Sequence, residues 1–187
     1  ILITTYVAKG SDEQAAKDLA FAQVAFYSMA VTWAELVWHF PEAMRDLFFS
    51  KVAGSTHEQA RTMTPILSRF GLLLSVVGAA AILLLIDPVM GFITMLAKGS
   101  DQVWFDGWSP HVGAALLALA PGTVAYTVSK VLQADLAARD RLQTCVNAQL
   151  VVFVAMLALD IAWIPSHGAL GAAWASSVAY VLGSAWT

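Results

Sequence analysis

The sequence predicts an all-α, polytopic membrane helical bundle with about five full transmembrane helices and an N-terminal stub. Three observations predict it. The chain of 187 residues is 59% hydrophobic and 12% charged, with mean hydropathy +0.69, whereas a soluble domain carries about 25% charged residues. Five stretches lack Asp, Glu, Lys and Arg: 19–34, 70–86, 112–129, 142–159 and 168–187, which are 16, 17, 18, 18 and 20 residues long. Each reaches or approaches the ~20 residues that cross a bilayer as a helix. None alternates polar with apolar residues, and each exceeds the ~9–11 residues of a barrel strand. Backbone amides in hydrocarbon must be satisfied within their own segment or around a closed barrel, so helices follow.

The elements fall in order into one membrane domain. Ile1–Val7 is an apolar stub without a charged leader, expected to be the tail of a further span. Ala179–Thr187 ends inside an apolar run, so both ends are expected to be cuts through a longer chain. The spans are expected at about 19–41, 66–86, 111–133, 142–163 and 168–187. The connections are Lys9–Asp18, Arg45–Arg69, Lys98–His111, Asp135–Arg141 and Pro165–Gly168. Within the second, Ser55-Thr-His-Glu has the pattern of a capping box opening a short interfacial helix. Pro88 and Pro165 read as helix stops, because proline lacks the amide that continues the ladder. Small residues from Gly168 to Ser177, including the Ala172–Ser176 pair at i, i+4, offer a close-packing face.

Orientation follows from Lys and Arg. Alternating helices sort these residues into one set of seven (Arg45, Lys51, Arg61, Arg69, Lys130, Arg139, Arg141) and one of three (Lys9, Lys17, Lys98). The positive-inside rule puts the larger set in the cytoplasm and Trp104, Trp108 and Trp163 near the outer interface.

Charged residues facing lipid cost roughly 2.5–3.5 kcal/mol, so those within spans mark a wet cavity or a structural pair. Glu35 and His39 stand four apart and share a helical face. They either line a cavity, with Glu35 as a proton- or ion-coupled group, or lock helices together. Trp33 and Trp38 beside them read as packing residues. Lys130 either contacts an anionic substrate as a point charge or snorkels to the interface. Arg45 follows the Glu35–His39 face and attracts anionic substrate or anionic lipid. Asn147 and Gln149 need partners, most simply on a neighbouring helix. Asp135 has its better partner at i, i+4 in Arg139. Asp87 and Asp160 read as interfacial. Pro121 and Gly122 sit inside the third span and make either a hinge or a static kink.

Function classes are excluded as well as suggested. Net charge −3 gives no global reason to bind nucleic acid. Cys145 is the only cysteine, so there is no internal disulfide and no CxxC metal site. The four histidines lie in different segments without metal spacing. No GxSxG, HExxH, GxxxxGK[ST] or dinucleotide fingerprint occurs. A transporter without cofactor is expected, rather than an enzyme.

Four segments carry a resemblance: Val24–Val31 (VAFYSMAV), Leu119–Ala125 (LAPGTVA), Val131–Arg141 (VLQADLAARDR) and Ile164–Tyr180 (IPSHGALGAAWASSVAY). Their order and spacing resemble the oligosaccharide flippase branch of the multidrug/oligosaccharidyl-lipid/polysaccharide exporter superfamily. The family often has a proline near Ser50–Val52, absent here, and the stretch Trp104–His111 is unusually aromatic. The resemblance implies that this chain is the second six-helix bundle of a larger transporter in a bacterial plasma membrane, partnered by a missing N-terminal bundle and by membrane lipids. It also implies flipping of undecaprenyl-pyrophosphate-linked oligosaccharide for cell-surface polysaccharide synthesis by alternating access. A multidrug or cation-coupled exporter of the same superfamily is the alternative. A glycan polymerase or ligase is a more distant one, because the outer connections are short.

Overall fold

Five helices account for nearly all of the described residues, which in this computed structural model are 13–53, 57–96 and 108–187. In chain order they are α1 (Glu13–Ala53), α2 (His57–Leu96), α3 (Trp108–Ala138), α4 (Leu142–His167) and α5 (Ala169–Trp186). No strand occurs among the described residues. Four of the helices are long and apolar enough to cross a membrane, over Lys17–His39, Ser68–Val89, His111–Ala138 and Leu142–His167. The fifth, α5, has 18 residues rich in Ala, Ser and Gly and is not among the four.

Several connections are helical where the sequence reading expected loops. Glu13–Asp18, read as part of a polar loop, opens α1, and Glu, Gln, Ala and Lys there are good helix formers. The Arg45–Arg69 stretch belongs mostly to α1 and α2, which have 41 and 40 residues. At ~1.5 Å per residue each is about 60 Å long, twice a bilayer core. Asp135 is also helical: α3 runs to Ala138, and the turn shrinks to Arg139–Arg141, with Asp140 at φ 61°. Neither Pro88 nor Pro165 ends its helix; both lie inside α2 and α4. Proline's fixed φ of about −65° is itself helical, and the missing amide in an apolar setting leaves one carbonyl for neighbours to satisfy. The Ile1–Val7 stub, Lys9, Ser55, Lys98 and Trp104 lie outside the described residues.

The α4–α5 junction depends on one residue. Gly168 has φ 60° and ψ −131°, a region open essentially to glycine alone. Its amide donates to Ile164 O at 2.9 Å, and its carbonyl accepts from Ala172 at 3.2 Å, so both helices are capped by the same residue. The chain thereby reverses direction without a loop.

Packing puts α3 at the centre. It touches all four other helices, and 56% of its most apolar stretch is buried, against 22%, 17% and 11% for α1, α2 and α4. The interior is built from small residues: Ala30 and Ala34 of α1, Ala115 and Ala118 of α3, Ala173 of α5, with Leu116 and Leu119 between them. The outer faces carry the large side chains, such as Leu73, Val77 and Leu84 on α2 and Leu150, Phe153 and Ile161 on α4, all exposed. Water would make that distribution unfavourable at about 25 cal/mol per Å². Lipid makes it neutral, and small interfacial residues let the backbones approach.

Candidate functional site

The polar chemistry gathers where α1, α3, α4 and α5 meet. On α1, Tyr27 and Trp38 stand three turns apart on the inward face. On α3, Tyr126 and Lys130 stand at i, i+4; on α5, Ser176 and Tyr180 do the same. Helix register therefore delivers one aromatic ring from each of three helices to a common point. Trp38 lies 5.7 Å from Tyr126 and 5.4 Å from Tyr180, the latter edge-on, and the two tyrosines stack at 4.9 Å. These are favourable aromatic geometries, each worth ~0.5–1.5 kcal/mol beyond area. The Lys130 ammonium sits 4.4 Å from the Trp38 ring centre and 5.9 Å from that of Tyr126. Both distances fall within cation–π range, where the ring quadrupole attracts the charge.

An amide and hydroxyl chain continues from the rings. The Tyr126 hydroxyl donates to Gln149 Oε1 at 2.9 Å, and Gln149 Nε2 donates to Gln133 Oε1 at 2.9 Å. Gln133 Nε2 donates to Ser129 Oγ at 3.0 Å, and Ser129 shares a 2.9 Å hydrogen bond with the Thr187 hydroxyl. Helices α3 and α4 and Thr187 are thus joined by groups whose alternative is an unsatisfied dipole in an apolar medium. Towards the other end of the bundle, the hydroxyls of Tyr27 and Ser176 share a 2.9 Å bond between α1 and α5. Asp160 is half-buried in α4, and its Oδ1 has no hydrogen-bond partner among the described residues.

The predicted site residues divide. Lys130 is half-buried and belongs to the aromatic cluster. Glu35 and His39 share the exposed face of α1 with Ser28 and Thr32, forming a polar stripe along a membrane-length helix. The Thr32 hydroxyl donates to Ser28 O at 2.9 Å, within that stripe. Arg45 lies in α1, but its side chain is outside the described residues. Asn147 is exposed on α4 and away from the cluster; its only described bond is an acceptance from Gln143 at 3.5 Å, within its own helix. Gln149, two residues on, carries the interhelical bonds instead. Asp135 meets Arg139 in a two-pronged pair at 3.0 and 3.1 Å. Trp33 packs against the apolar core.

Helix α3 continues through Pro121 and Gly122 beside the cluster, and side chains supply further hydrogen bonds there. The Gly122 amide donates to Ser177 Oγ at 2.8 Å. The Thr123 hydroxyl donates to Ala120 O at 2.9 Å. The Thr123 carbonyl accepts from the Thr127 hydroxyl at 3.1 Å and from the Trp38 indole at 3.2 Å. Gly122 also allows contact: a Cβ there would lie 2.7 Å from Ser177 O and clash with Ser177 Cα.

Sequence reasoning missed Tyr126 and Tyr180. The signal available was the Tyr126–Lys130 spacing of four, which places a ring beside a charge on one helical face. No group of His, Cys, Asp and Glu able to hold a metal occurs among the described residues.

An all-helical chain with four span-length apolar helices and a polar seam between them is an integral membrane protein of the polytopic helical class. Comparison with known protein families, with characterised proteins and with solved structures finds no match.

Proposed function

We propose that the chain forms the substrate-facing half of a transporter that moves lipid-linked oligosaccharide, carried on undecaprenyl pyrophosphate, across a bacterial plasma membrane. The observation that carries this reading is Lys130: an ammonium held over the rings of Trp38 and Tyr126 inside a membrane-length helix. A glycosylated pyrophosphate lipid presents an anion, many hydroxyls and a long apolar tail. The ammonium supplies a point charge with three donors for the anion. Gln133 and Gln149 supply planar amides for hydroxyls. The apolar outer faces of α2 and α4 leave the tail in hydrocarbon. Alternating access then requires a partner bundle opposite the Glu35–His39 stripe.

The test is transport by the full protein in liposomes. A fluorescent sugar on a polyprenyl pyrophosphate is placed in one leaflet, and its arrival in the other is read by an impermeant quencher. Transfer is expected for the pyrophosphate lipid and absent for the same sugar on uncharged polyprenol. A second reading, export of organic cations, is favoured by the exposed Glu35 carboxylate, one helical turn before Trp38 on α1. Movement of a cationic dye without movement of the pyrophosphate lipid would replace the first reading by the second.

A further inference from the structure

Trp38 touches two things at once. Its ring face carries the Lys130 ammonium, and its indole N–H donates to the Thr123 carbonyl, one residue beyond Gly122. The first contact is electrostatic and belongs to the charge site. The second belongs to the stretch of α3 where Pro121 has no amide to give and Leu117 O loses its usual donor. We infer that Trp38 couples the charge at Lys130 to the proline–glycine stretch of α3, so that drawing the ammonium off the ring loosens the helix there. Resting on the reading of Lys130 as the anion-binding group, it names the residue through which binding reaches the backbone.

Three features make the coupling mechanical. Trp38 is only half-buried, so its ring can follow the ammonium. A small apolar cavity of about 10 Å³, lined by Ala34, Val37, Ile82, Leu116, Ala120 and Thr123, leaves the packing of α1, α2 and α3 incomplete beside this stretch. The Gly122–Ser177 contact on the opposite side fixes one edge, so α3 turns about α5 rather than leaving it. An anion competing for the ammonium weakens its cation–π contact with the Trp38 ring. Freed of it, the indole no longer holds its donor on the Thr123 carbonyl. Trp38 is therefore a positioning residue: it need not touch substrate.

Hydrogen–deuterium exchange of the full chain in lipid nanodiscs tests this, read on residues 117–127. Without ligand, Trp38→Phe keeps a ring under Lys130 and removes the donor; exchange in that segment should rise about fivefold, the effect of one lost hydrogen bond on local opening. Lys130→Met should raise it similarly, and Lys130→Arg, which retains a cation over the ring, should restore the wild-type rate. Adding farnesyl pyrophosphate to the wild type should reproduce the rise, and adding farnesol should not. If Trp38→Phe and Lys130→Met both leave 117–127 as protected as the wild type, the coupling is wrong. If those variants respond but farnesyl pyrophosphate fails to bind, the coupling stands and the pyrophosphate reading fails. Segment 147–157 of α4 serves as the reference and should not change in either variant.

Discussion

Gly122→Ala should destabilise the bundle by about 3 kcal/mol, at the upper end of the cost of overpacking a tight interior. The added methyl would meet the Ser177 backbone itself, at its carbonyl oxygen and Cα, and not a side chain able to rotate away. Relief requires α3 and α5 to separate, which also lengthens the 2.8 Å bond from the Gly122 amide to Ser177 Oγ. Because the helices associate through packing of small residues and not through a hydrophobic driving force, separation removes much of what holds α5 in place. Gly113→Ala in the same helix is the control. Nothing lies within 4 Å of the position its Cβ would take, and alanine is the better helix former by roughly 1 kcal/mol. Thermal unfolding of the purified protein in detergent should show a fall in Tm for the first and none for the second.

Lys130→Met should lower transport of the pyrophosphate lipid at least tenfold, with expression and unfolding temperature near wild type. Methionine matches the length and stays apolar, so the rings of Trp38 and Tyr126 keep a neighbour while the charge is gone. Hydrogen bonds to charged groups are worth roughly 1.5–3 kcal/mol, which corresponds to tenfold or more in affinity. Lys130→Arg should retain most of the activity, since a guanidinium also stacks on an indole and also binds phosphate. Glu35→Gln should slow turnover without weakening binding, because Glu35 lies on the exposed stripe and not in the aromatic cluster. Equal transport by wild type and Lys130→Met would remove the charge site from the account.

Much of this was legible in the chain because hydrocarbon imposes simple rules. Charge-free runs of span length announced helices, and Ala172–Ser176 announced a packing face, now buried on α5. Lys130 and Glu35 stood out because ionised groups are rare in such runs. The rest depended on rotation about helix axes. Asn147 and Gln149 are two residues apart, so they point to nearly opposite sides of α4, and α4 is apolar almost all round. Its hydropathy therefore gives no sign of which side meets α3. Tyr126 and Tyr180 were lost for a related reason: a tyrosine in an apolar run counts as hydrophobic until the partner of its hydroxyl is known. Pro88 and Pro165 read as stops because they sit at the ends of the apolar runs, yet both lie inside their helices, where a packed apolar bundle tolerates the missing amide.

Alternating access requires the polar stripe of α1 to face water within the membrane while the outer faces of α2 and α4 meet lipid. Single cysteines at Thr32, Glu35 and His39, and at Val77, Leu84 and Phe153, in a Cys145→Ser background of the full protein in membranes, test it directly with a charged, impermeant thiol reagent. The first three should be modified readily, and the second three should remain unmodified on the same timescale. Protection of positions 32, 35 and 39 to the degree seen at 77, 84 and 153 would contradict the account.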